Sequence, residues 1–315
     1  MIRGVLVTNA FLRTQKFVTH YEWLKEAAKK RNMELSLCEN ADFILELPIQ
    51  NECTDSMQKI EKELLSYDFV LYWDKDIRIG RLLEELCSQK RISFYNPLTG
   101  IAVCDDKAET YLQLWKWNRA HDDEENIPIL PTIIAPMTYG NIGYTDISFT
   151  KKVIQSLGLP LVIKECFGSF GMQVYLASTE EEVIAITKKL AGTPFLYQKF
   201  IQESLGKDVR LQVVGNQVVA AMCRTAQKGD FRANVSNGGS MEKYEPTKRE
   251  CALAVRTANA LGLTFAGVDL LFSKGTDKEA DIVCEVNSNA HFENIHTCTG
   301  VNVAEAIIDE IAARL

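Results

Sequence analysis

Gly267-Val268-Asp269-Leu270-Leu271-Phe272, followed across a polar connection by Ile282-Val283-Cys284-Glu285-Val286-Asn287, is the stretch whose reading decides the fold. Both arms are short apolar runs, and Ser273 to Asp281 between them is polar and carries Gly275, so the segment reads as strand, turn, strand. Centring the hairpin near Asp277 sets Asp269 directly opposite Glu285. Glu285 and Asn287 are two apart and share a face, while Ile282, Cys284 and Val286 are expected to point the other way. Three oxygen-bearing side chains then converge. Two like charges on a sheet face are costly to desolvate without a positive partner. A hard cation such as Mg²⁺ or Mn²⁺, which takes oxygen ligands, would supply one; a solvated hairpin face with lysine partners is the other reading.

Upstream, helix Pro246 to Leu261 is closed by Gly262, and a polar, glycine-rich loop runs from Lys228 through Gly239. Before it lie strands Leu211 to Val214 and Gln217 to Arg224. Asp208 and Arg210 share a strand face, where a structural ion pair competes with contacts to a ribose and a phosphate, and Arg224 adds a second guanidinium nearby. Strand Phe195 to Ile201 ends in Gln198-Lys199-Phe200-Ile201, a hinge whose backbone suits the edge of an adenine. Strand Pro160 to Lys164 leads through Cys166-Phe167-Gly168-Ser169-Phe170-Gly171-Met172 into strand Gln173 to Ala177. Lysine at a strand end before a glycine-spaced loop suits a lid over phosphates, since backbone N–H groups approach closely where glycine removes the side chain; an ordinary hairpin turn competes. Lys107 stands at the start of a helix running through Asn118, as a surface lysine or one reaching a phosphate. Residues 1–97 alternate strands and helices, which predicts a parallel α/β layer. It resembles a Rossmann-like layer, but no G-x-G-x-x-G follows its first strand, which argues against a dinucleotide.

A chain of 315 residues, 46% hydrophobic and 24% charged, is an ordinary globular composition with room for two or three domains. No apolar run is long enough to span a bilayer, and Ile2 to Val7 reads as a first strand rather than a signal peptide. The nine cysteines are scattered and never form C-x-x-C, as reduced thiols of a cytoplasmic protein would be. His291, His296 and Cys298 match no standard zinc spacing. A formal charge of -7 argues against nucleic acid as a main partner.

Lys107, Lys164, the Gly168–Gly171 loop, Gln198 to Ile201, Asp208-Val209-Arg210, Arg224, the Gly229–Asn234 loop and Asp269…Glu285-Val286-Asn287, in this order, resemble the ATP-grasp superfamily, and within it the RimK-type carboxylate–amine (alpha-L-glutamate) ligases. The resemblance covers roughly residues 98 to 315. It implies an ATP-grasp fold of α/β class with an α+β lid. The divisions are 1–97 for the N-terminal Rossmann-like domain, 98–198 for the central and lid subdomain, and 199–315 for the C-terminal subdomain with the metal-binding hairpin. It further implies ATP contacts from Lys107, Lys164, Gly168, Gly171, Gln198, Lys199, Phe200, Ile201 and Asp208, and two Mg²⁺ (or Mn²⁺) on Asp269, Glu285 and Asn287. Arg210, Arg224, Arg232 and Asn234 would hold the reacting carboxylate, the phosphates and the tetrahedral intermediate. The implied reaction passes through an acyl phosphate to an amide, joining an amino acid such as glutamate to a small amine, a peptide or a protein tail, in a homo-oligomer without a membrane partner. A kinase-like ATP-grasp enzyme and a non-catalytic ATP–Mg²⁺-binding module are the alternatives. Two departures stand out: Lys199 where the family often has an acidic residue, and Ser288-Asn289-Ala290-His291 where a Pro-Gly commonly follows the asparagine.

Overall fold

The computed structural model describes residues 1–44, 54–168, 171–233 and 238–315. Ser169, Phe170 and Asn234, singled out above, and Cys53, one of the nine cysteines, lie outside the described residues. Helices separate the first four strands, so β1 (Arg3–Thr8), β2 (Glu34–Glu39), β3 (Phe69–Tyr72) and β4 (Ser93–Tyr95) pair in parallel, in the order β2-β1-β3-β4. The connecting helices are α1 (Gln15–Lys30), α2 (Asp55–Leu64) and α3 (Ile77–Lys90). Val5, Val7, Val70 and Tyr72 pack against α2 and α3, whereas Leu6, Phe69 and Leu71 pack towards α1, so both sheet faces are covered, as a parallel sheet requires.

α4 (Leu98–Asp105) and α5 (Lys107–Ala120) follow. The antiparallel lid sheet, in the order β5-β8-β6-β7, is built from β5 (Thr132–Ile134), β6 (Leu161–Glu165), β7 (Val174–Ala177) and β8 (Phe195–Lys199). Helices α6 (Phe149–Leu157) and α7 (Glu180–Lys189) pack on it. The last sheet, order β11-β10-β9-β12-β13, comprises β9 (Lys207–Val214), β10 (Gln217–Thr225), β11 (Ser240–Lys243), β12 (Phe265–Leu271) and β13 (Ile282–Asn287). α8 (Lys248–Ala260) lies between β11 and β12 in sequence, and α9 (Glu293–Thr299) and α10 (Val303–Arg314) end the chain. Cys104, Leu114 and Ile127 share a core with Leu253 and Ala258 of α8 and with Val268. Leu98 and Ile101 belong to the core of the N-terminal sheet, the segment from Cys104 to Ile127 packs on the C-terminal sheet, and the lid sheet begins at Thr132.

On the opposite face of that sheet, Ile307, Ile308 and Ile311 of α10 pack in one core with Leu24 of α1, Phe265 of β12 and Met222 of β10. Lys30 pairs with Glu305 at 2.5 Å, and Arg31 pairs with Asp309. The first and last parts of the chain are thus one packed body. Asn96, wholly buried, ties them at the site end: its amide donates to the carbonyls of Phe265 (2.9 Å) and Ser288 (3.0 Å) and accepts from the N–H groups of Thr264 (2.8 Å) and Phe265 (3.1 Å). Asn96→Ala strands these backbone groups away from water. At about 1–3 kcal/mol for each buried group left unpaired, we expect a loss of at least about 3 kcal/mol in denaturant unfolding. A loss under about 1 kcal/mol would mean that water replaces the amide.

The deciding hairpin forms in the expected register, with Asp269 opposite Glu285 and Gly267 opposite Asn287. Beyond Asp269 the register shifts, because Leu270 pairs with Val283 and Cys284 is left over as a β-bulge. The extra residue resets the alternation. Val283 and Val286 both enter the core beneath α8, whereas Cys284 lines the same cavity as Glu285 and Asn287. Ile282 and Cys284 pack beside Ile201 and Leu271. The expectation that Ile282, Cys284 and Val286 share a face is corrected accordingly.

Candidate active site

A cavity of about 1300 Å³ opens between the lid sheet, the C-terminal sheet and the carboxyl ends of β1 and β3. Its centre is set by strand register. Arg210 on β9 is paired with Asp269 on β12, and Arg224 on β10 with Asp208 on β9, so each guanidinium faces a carboxylate across one strand step. Arg210 donates Nε and Nη2 to Asp269 at 2.7 and 2.6 Å, and Arg224 donates the same atoms to Asp208 at 2.7 and 2.6 Å. Arg224 Nη2 also reaches Asp269 Oδ2 at 2.9 Å. The result is a buried chain, Asp208–Arg224–Asp269–Arg210, held by forked bonds that fix its geometry. Burial pushes Asp269 towards the neutral form, but the charges of Arg210 and Arg224 override it and hold the carboxyl below its usual range. For Asp208 burial outweighs Arg224, and its pKa is raised.

Glu285 is placed differently. It lies opposite Asp269 on the neighbouring strand, lines the cavity half-buried, and makes no hydrogen bond or ion pair among the described residues. The Nδ2 of Asn287 is buried with no acceptor among the described residues. Gly267, opposite Asn287, leaves the space in which the chain after β13 folds back: a Cβ there would stand 2.5 Å from the Cβ of Ala290. A cation fits this donor set. A carboxylate offers about four lone-pair positions. Three protein bonds engage Asp269, which leaves one acceptor position, while Glu285 is wholly unspent. All the donors are oxygens, which suits a hard divalent ion. His, Cys, Asp and Glu alone form no metal-sized group among the described residues, so the amide of Asn287 is needed to complete one.

On the lid side, Lys164 at the end of β6 is buried, lines the cavity and lies 3.7 Å from the Sγ of Cys284. Gln198, Lys199, Phe200 and Ile201 form the connecting edge between the two sheets; Gln198 donates to Thr132 Oγ1 at 2.9 Å and keeps a buried, unpaired Oε1. Leu130, Val162, Ile201 and Leu271 line an apolar part of the same cavity, suited to a flat ring. Arg232 donates to both oxygens of Asp230, at 2.9 and 3.0 Å, and to the carbonyl of Gly171 at 2.8 Å. It therefore joins the loop after β10 to the lid loop. Gly168 and Gly171 both have positive φ, 136° and 70°, which glycine adopts without strain.

Lys107 is not brought into the cavity. With Tyr111, Cys284 and Glu285 it lines a small recess behind the wall, and its Nζ donates to the carbonyls of Gly168 (3.0 Å) and Cys166 (3.4 Å) at the base of the lid loop. Burial lowers its pKa, against the opposing charge of Glu285. The expected neighbours Asp208 and Arg210 do not pair with each other, because each meets a partner on another strand. Asn96 and the cavity wall at Asn9 and Asp74 escaped the sequence reading; Cys284 was expected on the opposite face, and Asn289 lies in the segment already noted as a departure.

The model of the RimK-like ATP-grasp domain matches residues 132–311. A probable alpha-L-glutamate ligase of Trichodesmium erythraeum is 42% identical over 160 residues, which are 50% of this chain and 52% of that protein. The chain thus spans about half the length of the curated relatives it matches. Among solved structures, the D-alanine–D-alanine ligase of Bacillus anthracis complexed with ATP superposes with a TM-score of 0.67 at 16% identity, covering 99% of this chain and 96% of that one. The ATP-grasp ligase PsnB, complexed with a variant of its minimal precursor, Mg and ADP, gives 0.66 at 16% identity over 100% and 99%. Both likenesses are of fold.

Proposed function

Because the chain belongs to the RimK-like ATP-grasp family, we propose that it is an ATP-dependent carboxylate–amine ligase that forms an amide or peptide bond through an acyl phosphate. The observation that carries this reading is Glu285, a carboxylate with no hydrogen bond or ion pair among the described residues, beside the Asp269–Arg210–Arg224 network in one cavity with Lys164. Phosphoryl transfer asks a protein for positioning and charge neutralisation rather than for a nucleophilic side chain, and this cavity offers both. The substrate carboxylate attacks the γ-phosphoryl group and ADP leaves; an amine then attacks the acyl carbon, and phosphate and a proton leave.

In this reading the apolar part of the cavity and the Gln198–Ile201 edge take the adenine, Asp208 lies on the ribose side, and Lys164 takes phosphate charge. Gly168 and Gly171 let the lid backbone approach the phosphates, with Lys107 holding that loop from behind. Arg210 and Arg224 hold the reacting carboxylate side of the site. Arg232, bonded to the lid loop at Gly171, holds the carboxylate and the tetrahedral intermediate with Arg210, and Asn234, outside the described residues, is a further candidate for that role; the site excludes the water that would otherwise hydrolyse the acyl phosphate. Asp269, Glu285 and Asn287 would hold Mg²⁺, as two ions, with Mn²⁺ as a substitute. Bound there, the metal neutralises phosphate charge and polarises the transferred group. Relatives named as alpha-L-glutamate ligases and a structural neighbour complexed with a peptide precursor support an amino acid and an amine-bearing small molecule, peptide or protein tail as the pair to be joined.

ADP release with Mg·ATP, screened against amino acids singly and in pairs with hydroxylamine as trap, tests the proposal. A hydroxamate or amide product is expected. A stable phosphorylated product instead would identify a kinase-like enzyme, and ATP binding without turnover across amino acids and peptides would leave a nucleotide-binding module.

A further inference from the structure

The parallel sheet changes winding direction between β1 and β3, and ligands of such sheets collect at the carboxyl ends of the strands flanking that point. Here those ends carry Asn9 and Asp74, and both line the cavity, some distance along the chain from every residue considered above. Asp74 is 4% exposed. Its carboxylate accepts from Asn9 Nδ2 at 3.1 Å and from the N–H of Lys75 at 2.7 Å. No cationic side chain among the described residues comes within ion-pair distance of it, and the residues outside the description include no Lys, Arg or His. The neighbouring charges are engaged elsewhere: Lys75 turns to Asp105 at 3.1 Å, and Asp76 caps α3 by accepting from the N–H of Ile79 at 3.2 Å.

A buried carboxylate normally has a cation beside it, because desolvating the charge is otherwise too costly. At Asp74 the protein supplies only neutral donors, and the open side is the cavity. A second acceptor stands in the same wall. Asn289, in the segment where the chain departs from its family's usual pattern, donates Nδ2 to the carbonyl of Asp74 at 3.2 Å, and its buried Oδ1 has no donor among the described residues. The Oδ1 of Asn9 already accepts from the N–H of Phe11 at 3.0 Å, so two acceptors remain, the Asp74 carboxylate and Asn289 Oδ1; a protonated amine suits them, since an ammonium brings three donors and no acceptor.

We propose that Asp74 and Asn289, with Asn9 orienting the Asp74 carboxylate, form a subsite for the ammonium group of a free amino acid, in the half of the cavity contributed by the N-terminal sheet. The inference rests on the ligase reading and deepens it by placing the amino group of the amino-acid substrate, and it assigns the departure at Asn289 to recognition of that group.

The test is equilibrium binding of the twenty L-amino acids to the full chain with saturating Mg²⁺ and a non-hydrolysable ATP analogue, in wild type and Asp74→Asn, with glutarate as the desamino counterpart of L-glutamate. At least one amino acid is expected to bind wild type and to lose at least tenfold in affinity in Asp74→Asn, while nucleotide affinity holds and glutarate binds both proteins equally weakly. Equal amino-acid affinity in the two proteins, or no amino acid binding to wild type, overturns the subsite. If Asp74→Asn loses nucleotide binding through misfolding, Asn289→Ala carries the test: amino-acid affinity should fall several-fold with nucleotide affinity unchanged, and an unchanged amino-acid affinity overturns the subsite. The ligase reading fails separately. Asp74-dependent amino-acid binding without ADP release or hydroxamate sinks the ligase and keeps the subsite; hydroxamate formation with an unchanged KM for the amino acid in Asp74→Asn does the reverse.

Discussion

Glu285→Ala is expected to lower Mg²⁺-dependent turnover by about 10²–10³-fold, the range seen when one preorganised electrostatic group is removed from a transition state. The stability of the protein should hardly change. Glu285 makes no hydrogen bond or ion pair among the described residues; on its removal Lys107 loses one opposing charge but keeps its bonds to the carbonyls of Cys166 and Gly168, and the neighbouring Asp269 keeps both of its arginines. A carboxylate that contributes little to folding yet lies opposite another carboxylate in a cavity has its use in what the cavity binds. The measurement is turnover against Mg²⁺ concentration, with thermal unfolding beside it. Turnover within a few-fold of wild type, with unchanged metal dependence, would remove Glu285 from the metal set and leave Asp269 and Asn287 too few for it.

Arg224→Met is expected to have the opposite signature, a large loss of stability. Arg224 bridges Asp208 and Asp269 with its side chain 12% exposed, so the variant leaves Asp208 buried without a cation while Asp269 retains Arg210. Breaking a buried pair from one side costs about 3–5 kcal/mol, much of it the price of the stranded charge. The pH dependence identifies that charge. Asp208 already has a raised pKa from burial, and without Arg224 it rises further. An acid whose folded pKa lies above its unfolded one opposes folding when ionised. The deficit is therefore full at neutral pH and shrinks as pH falls through the raised value of Asp208 towards the unfolded value of about 3.9. Asp269 behaves inversely: its pKa is depressed, so its contribution is present above the unfolded value and is lost as pH falls through the lower, folded one. Chemical unfolding of wild type and variant from neutral pH downwards measures both. A deficit that stays constant over that range would mean that Asp208 is not the group left stranded.

The two variants separate roles that the sequence presented as one list of charged residues. Glu285 stands apart from the folded network and faces the cavity, whereas Asp208, Arg224, Asp269 and Arg210 form a structure that is mostly self-satisfied. That network fixes where Asp269 offers its remaining acceptor position, and it keeps two guanidiniums close to the carboxylates without collapse of the cavity.

Pattern within single elements was decisive at several points. The polar connection after Phe272 and the apolar arms around it set the β12–β13 hairpin with Asp269 opposite Glu285, because register across a hairpin follows from the position of its own turn. Alternating strands and helices before Pro97 set a parallel sheet with both faces covered, and Gly158 and Gly262 ended helices where a left-handed backbone was needed. The order of charged and glycine residues from Lys107 to Asn287 was enough to indicate the ATP-grasp family. Tertiary structure alone decided the rest. Arg210 meets Asp269 rather than Asp208 because β9 pairs with β12 across a long stretch of intervening chain, a register that no local turn dictates. Cys284 faces the cavity because one extra residue in β13 resets the alternation. Asn96 meets Thr264, Phe265 and Ser288, and Asp74 meets Asn289, only because α10 packs between the first helix and the last sheet and brings the two ends of the chain together. Periodicity records which face of an element is apolar; it does not record which distant element covers that face, and in this protein the cavity lies between such elements.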